Sequence, residues 1–390
     1  MKSYTCVLLS VEIKMTPAGL YIHIPFCRSR CSYCDFATGI YQGELAERYV
    51  HALVTEIATS THERSPVDTI FFGGGTPSLL TPAQLECILV ALHDRFDVDR
   101  DAELTVEMNP GTVTRDQLRA FRDLGVNRAS FGAQTFDDAE LAKLGRSHTS
   151  AETLKTFHEL RGAGFTNVSF DLIAGLPGQT LDGWQRNIEQ SLALQPEHLS
   201  FYLLEVHSGT PLADHIRRGL QPKPDDDLAA VMYEWMIQRA TDAGYEHYEI
   251  SNLCRPGFAS RHNTKYWTGA PYFGFGCSAH SFDGRSRRWS NRRDVLRYVE
   301  AVEQGTSPIV EEHELSDADL RAEALFLGMR MMRGVDVVEY NELFGVDLRV
   351  EHHDELDRFR EAGLVEFDGG MIRLTRNGAL MSNEVFAAFV

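Results

Sequence analysis

GLYIHIPFCRSRCSYCDF, residues 19–36, runs from a short apolar strand directly into three cysteines. Cys27, Cys31 and Cys34 have the spacing C-x3-C-x2-C. Thiolates are soft ligands suited to iron–sulfur clusters and to zinc. A structural zinc site closes with four ligands, and no fourth Cys or His stands at ligand spacing here. Zinc completed by a distant residue such as His23 is the alternative. Three thiolates on a four-iron cube leave one iron without a protein ligand, a vacancy that is useful only if something else fills it. The chain has seven cysteines in 390 residues. The other four, Cys6, Cys87, Cys254 and Cys277, are scattered, so a disulfide scaffold is excluded and metal binding or catalysis is favoured.

Working outward, apolar runs alternate with amphipathic stretches from Gly19 to about Val206. The runs are LYIHIP, DTIFFGG, ELTVEMNP, RASFGAQ, VSFDLIAGLPG and HLSFYLLEV. TPAQLECILVALHDRF reads as a helix with Thr81 as N-cap and Pro82 in the first turn. TRDQLRAFRDLG is capped by Thr114 and closed by Gly125. Six strand–helix units imply a parallel sheet with right-handed crossovers, two units short of a closed barrel. The expected fold class is α/β, a partial (β/α)6 barrel. Chemistry in such folds sits at the carboxyl ends of the strands, and the unusual residues fall there: Cys27, Gly73–Thr76, Glu107–Pro110, Gln134 and Gly175–Gly178. Gly73-Gly74-Gly75-Thr76-Pro77 permits close backbone approach to a ligand. No Gly-Lys-Ser/Thr follows to make a phosphate loop, and a plain turn is the simpler reading of the glycines alone.

QPKPDDD, residues 221–227, reads as a linker, followed by a helix (DLAAVMYEWMIQRATDAG) and a strand-like YEHYEIS. Cys254 to about Arg293, rich in Gly, aromatics and His, lacks periodicity and is expected to be functional loops. LSDADLRAEALFLGMRMM and VEHHDELDRFREAG read as helices, and LVEFDGGMIRLTRNG as a hairpin around Gly369–Gly370. Helices followed by a two-stranded wing predict a winged-helix-like α+β module, whose Asp- and Glu-rich helix favours packing or a lid over DNA binding. The formal net charge of −18 argues against capture of nucleic acid. No stretch approaches the ~20 apolar residues of a membrane span. The first seventeen residues lack a cleavage site, so an overextended start before Met15 is expected rather than a signal peptide. The expected location is cytoplasmic, with a peripheral place at the inner face of the membrane. The expected domains are 1–18, an extension; 19–220, the barrel; 221–305, a family-specific extension; and 306–390, the C-terminal module.

The cysteine spacing after the first strand of a βα barrel resembles the radical S-adenosylmethionine superfamily. LYIHIPFCRSRCSYCDF, FFGGGTPSLL, EMNPGT, FGAQTFDD, LGRSH, DLIAGLPGQT, YEISN, RHNTKYW and GCSAHSF together resemble the oxygen-independent coproporphyrinogen III oxidase-like family, most closely its haem-chaperone branch. The resemblance implies a C-terminal domain of the HemN C-terminal type and a [4Fe–4S] cluster on Cys27, Cys31 and Cys34. It places S-adenosylmethionine against Tyr21, Tyr33, Gly74, Gly75, Thr76, Glu107, Gln134, Arg146 and Asp171. The oxidases carry a fourth, non-ligand cysteine two residues after the third; Phe36 stands there, which favours haem handling over porphyrinogen oxidation. His262, Tyr266 and Trp267 fall in the branch's H-N-x-x-Y-W motif, which implies haem contact; a hydrogen-bonded structural histidine is the alternative for His262. Arg285, Arg287, Arg288 and Arg292 are candidates for pairing with propionates, and His280 and Cys277 are weaker ligand candidates. Implied partners are haem as cargo, a flavodoxin- or ferredoxin-type electron donor, and membrane haem proteins such as respiratory cytochromes as transient recipients. No catalytic residue is assigned.

Overall fold

A computed structural model describes residues 16–62 and 64–389. The expected N-terminal extension and the start before Met15 lie, through residue 15, outside the described residues, as does Cys6.

All six apolar runs form strands: β1 (Ala18–Ile24), β2 (Pro66–Gly74), β3 (Asp97–Met108), β4 (Arg128–Gln134), β5 (Val168–Ala174) and β6 (His198–Leu203). They pair in parallel in chain order, without the reversal that marks a doubly wound sheet. Every residue of β4 is buried, because helices cover one face and site side chains crowd the other. The helical layer includes Gly43–Thr59, Pro82–Arg95, Arg115–Asp123, Ser150–Gly162 and Leu181–Ala193. Thr81 accepts from the Gln84 amide while the Gln84 side chain returns to Thr81 N, a capping box worth ~1 kcal/mol. Thr114 caps the next helix by accepting from the Gln117 amide, without the reciprocal bond, and Gly125 leaves it at φ +98°. Leu20, Ile22, Phe72, Phe131, Phe170 and Trp184 anchor the core between the layers.

The sheet continues past both edges of the partial barrel. The stretch from Cys254 to Arg293, expected as loops, instead forms a helix (Arg261–Trp267) and strands Tyr272–Phe275, His280–Phe282 and Arg287–Asn291. Tyr272–Phe275 pairs in parallel with β1, and the next two strands and Ile309–Glu314 continue it antiparallel. These strands span three to six residues, too short for an alternation to register, and Tyr272–Phe275 is buried on both faces. Beyond β6, Asn252–Cys254 and Glu246–Glu249 extend the sheet antiparallel to twelve strands in all.

From Ser316 a separate core gathers around Leu325, Met329, Leu348, Ile372 and Val385. Helices Asp317–Gly328, Val337–Phe344 and His353–Glu361 precede a hairpin of Val365–Asp368 and Met371–Leu374, joined by Gly369 and Gly370 at φ +55° and +94°. Two positive φ values in a two-residue loop match the twist of the flanking strands. This is the expected winged-helix-like α+β module, with one difference: VEHHDELDRFREAG is broken at His352 into two helices.

Candidate functional site

The carboxyl ends of β1 to β6 open into one cavity of about 650 Å³. Its lining brings together Cys27, Cys31, Cys34, Tyr33, Gly74, Gly75, Glu107, Gln134, Arg146 and Asp171. Phe36, 69% exposed, sits at the mouth. Residues drawn from positions 27 to 171 meet because most of them lie at the end of a neighbouring strand or in the loop after it, and Arg146 reaches in from the turn after the helix Asp138–Lys143.

The cysteine loop leaves β1 at Pro25 and is held by short contacts. Thr76 Oγ1 donates to Cys27 Sγ at 3.6 Å, and Arg146 Nη1 donates to Cys31 Sγ at 3.4 Å. Burial pushes the Cys27 and Cys34 thiols up, so a bound metal must supply the energy that keeps them ionised. Among the described residues, no three His, Cys, Asp or Glu side chains stand close enough to hold a single metal ion. His23, the residue considered for completing a zinc site, turns elsewhere: Nδ1 meets Tyr21 OH at 3.1 Å and Nε2 meets Ala37 O at 2.9 Å. Three thiols spread over one wall, with hydrogen-bond donors behind two of them, fit a multi-iron cluster and do not fit one zinc.

The glycine run fits closely over this loop. A Cβ on Gly75 would lie 2.8 Å from Phe26 O, and Gly74 takes φ +113° with its Cβ position 2.6 Å from the His23 ring. Gly74 N donates to Glu107 Oε2 at 3.0 Å. Burial, then the neighbouring Asp171 carboxylate, raises Glu107 to about 7, while the Gly74 amide and the buried Arg128 oppose the rise. Asp171 is also raised by burial, against hydrogen bonds from Ser200 and Ser130. Gln134 closes β4 in the left-handed region at φ +64°, a strained geometry of the kind that gathers at ligand sites.

Two predicted residues stand one step behind the wall. Tyr21 packs under Gly73 and binds His23, and Thr76 serves Cys27. One residue is marked in the sequence only as part of the run Glu107–Pro110 and given no role: Asn109 bridges the halves of the site, donating to Thr76 Oγ1 at 2.7 Å and accepting from Arg146 Nη2 at 2.7 Å. Its signal was the Asn-Pro step ending β3. Tyr202 of β6 and Arg330, at the end of the Asp317–Gly328 helix, also reach the cavity, and nothing in their local sequence marks them.

His262, Tyr266 and Trp267 are not brought into the lining. Their helix packs against the amino-terminal halves of β1 to β3, where Glu103 accepts from the His262 and Arg261 amides and Asp68 pairs with Lys265 at 2.6 Å. His262 is 1% exposed, with Nδ1 on Thr69 Oγ1 and Nε2 on Tyr266 OH, both at 2.9 Å. Burial, with Lys265 adding to it, lowers its pKa to about 3. It therefore stands as a neutral, doubly bonded structural histidine beneath Phe71 and Tyr21. Arg287 and Arg288 are spent on Glu312 and Glu323; neither they nor Arg285 and Arg292 line the cavity. His280 is likewise outside it, and Cys277 is fully buried against Tyr49.

Residues 21–190 match the family model for the radical SAM superfamily, and residues 315–381 match that for the HemN C-terminal domain. A protein named heme chaperone HemW from Bacillus subtilis is 36% identical over 95% of this chain and 98% of its own length. One of the same name from Escherichia coli is 32% identical over 97% and 99%. The mouse mitochondrial protein named radical S-adenosyl methionine domain-containing protein 1 is 41% identical over 70% of this chain and 62% of its own. The solved coproporphyrinogen III oxidase HemN of Escherichia coli superposes with a TM-score of 0.83 at 23% identity, covering 96% of this chain and 90% of that one. It shares the fold. No helix among the described residues is long and apolar enough to cross a membrane.

Proposed function

Because the chain belongs to the haem chaperone HemW family of the radical SAM superfamily, which implies a [4Fe–4S] cluster and S-adenosylmethionine, we propose that its cavity also receives haem. The haem is then passed to membrane haem proteins such as respiratory cytochromes, from a cytoplasmic position at the inner face of the membrane. Cys27, Cys31 and Cys34 would hold the cluster. The carrying observation is that one cavity joins the three thiols and the polar strand tips to an apolar wall of Tyr202, Leu203, Leu204, Ile250 and Leu380, which suits a flat macrocycle.

A cluster with one open iron supplies a coordination site and an electron for S-adenosylmethionine. The chain does the rest. Arg146 and Thr76 donate to the ligand sulfurs, which stabilises them as thiolates. Gly74 and Gly75 let the methionyl end approach the backbone, and Glu107, Gln134 and Asp171 offer acceptors to its ammonium and ribose hydroxyls. Tyr33, packed with Leu144 and Ile173, closes the adenine side. A flavodoxin- or ferredoxin-type protein fits as the electron donor.

The shared fold with HemN keeps coproporphyrinogen III oxidation as the second reading, and Phe36 in place of the fourth cysteine weighs against it. The test is to reconstitute the cluster anaerobically and offer the protein haem in one arm. The other arm receives coproporphyrinogen III with S-adenosylmethionine and reductant. Stoichiometric haem uptake without turnover is expected. Protoporphyrinogen formation would overturn the chaperone reading.

A further inference from the structure

Arg330 is the cavity's one contribution of a guanidinium from the C-terminal module. Its backbone is tied to the barrel edge: Ile250 N donates to Arg330 O at 3.1 Å, and Met332 N to Tyr248 O at 3.0 Å. Its side chain is held on two sides. Nε and Nη2 donate to Glu249 Oε1 at 3.1 and 2.6 Å, and the guanidinium carbon lies 4.2 Å from the centroid of Trp267. Glu249 is fully buried, and Ser251 N and Asn252 Nδ2 donate to its other oxygen, so its charge is shared beyond the arginine. Nη1 makes no hydrogen bond among the described residues. A long side chain that is fixed by a carboxylate edge and an aromatic face has lost most of its freedom already, so little further ordering is needed to bind an anion.

The other cations of the cavity are differently placed. Arg146 is consumed by Cys31, Asn109 and Gly132 O beside the cysteines, and Arg30 reaches the Cys34 carbonyl. Arg330 instead lies beside Ile250 and Tyr233 and shares the cavity lining with Leu380, Ser382 and Asn383, apolar surface with a few hydroxyl and amide groups. That setting suits a ligand that is apolar over most of its surface and carries carboxylates at one edge. We propose that Arg330 is the cavity's carboxylate grip, taking a propionate of haem, with Glu249 and Trp267 as its positioning residues. The inference rests on the reading of haem as cargo. It also gives the H-N-x-x-Y-W motif a task away from iron: Trp267 sets the plane of Arg330, and His262 supports Tyr21 and Phe71.

The test titrates haem and haem dimethyl ester, whose propionates are capped, into the full-length, cluster-reconstituted protein. The wild type should bind haem about tenfold more tightly than the diester, the scale of one charge-assisted hydrogen bond. The paired substitution Glu249→Gln with Arg330→Met removes both charges together and leaves no buried ion unpaired. It should bind both ligands equally, near the diester's affinity, with cluster absorbance and S-adenosylmethionine affinity unchanged. Equal binding of the two ligands by the wild type would overturn the inference alone, without needing a variant that folds. So would a paired variant that keeps its preference for haem, or one that loses S-adenosylmethionine instead. Uptake of neither ligand by the wild type would overturn the haem reading itself, and the inference with it.

Discussion

Glu107→Gln should make the apoprotein's stability less sensitive to pH, by an amount the site geometry sets. Glu107 sits on β3 facing the cavity, accepts one amide hydrogen bond from Gly74 and has Asp171 as its charged neighbour. Burial and that neighbour raise it from 4.5 to about 7. One pKa unit is worth about 1.4 kcal/mol, so the full rise corresponds to about 3 kcal/mol. This is a ceiling, because Glu107 is only half-buried and solvent screening reduces the full value. A carboxyl whose pKa is higher folded than unfolded favours folding while protonated, and that advantage is lost as pH rises through the folded value. The loss therefore falls between about pH 4.5 and pH 7. Glu56, also raised to about 7 by burial, titrates in the same window, so the wild type alone does not isolate Glu107. The difference between variant and wild type does. Urea unfolding at about pH 5 and about pH 8 should show the Glu107→Gln variant gaining by up to about 3 kcal/mol relative to wild type at the higher pH. A difference that stays constant across that range would refute the placement of Glu107 as a half-buried carboxyl whose pKa is raised.

Gly74→Ala should cost ~1–3 kcal/mol, because φ +113° is strained for any side chain and the new methyl meets His23; thermal denaturation reads the cost, and S-adenosylmethionine binding should fall with it. Arg146→Met leaves Asn109 Oδ1 and Gly132 O without their donor and Cys31 without its cation. It should lower apoprotein stability by at least about 3 kcal/mol in urea unfolding and reduce iron retention after reconstitution. Thr69→Val removes the partner of His262 Nδ1 and should cost ~1–3 kcal/mol with haem affinity little changed, whereas a histidine that ligated iron would change haem binding first.

The barrel was legible because strands buried on both faces write themselves as apolar runs, and caps such as Thr81 and Thr114 mark the helices between them. The cysteine triplet was legible because its ligands come from one loop, so their spacing is in the chain itself. The edge strands between Cys254 and Arg293 were not, since strands of three to five residues carry no period. Asn109 acts on Thr76 and Arg146, and Arg330 on Glu249 and Trp267, at separations of 33 to 81 residues, and no local pattern says which partner stands at the other end. His262 shows the reverse case. Its motif is plain in the sequence, but only packing shows that Thr69, Tyr266 and Glu103 have closed it away from the cavity.

The central claim is that Cys27, Cys31 and Cys34 hold a four-iron cluster whose open iron takes S-adenosylmethionine. Electron paramagnetic resonance of the reduced, anaerobically reconstituted protein tests it most directly. The spectrum of a [4Fe–4S] cluster should appear in the wild type, shift when S-adenosylmethionine is added, and be lost in Cys31→Ala. A spectrum that S-adenosylmethionine leaves unchanged, or a full signal in Cys31→Ala, would contradict it.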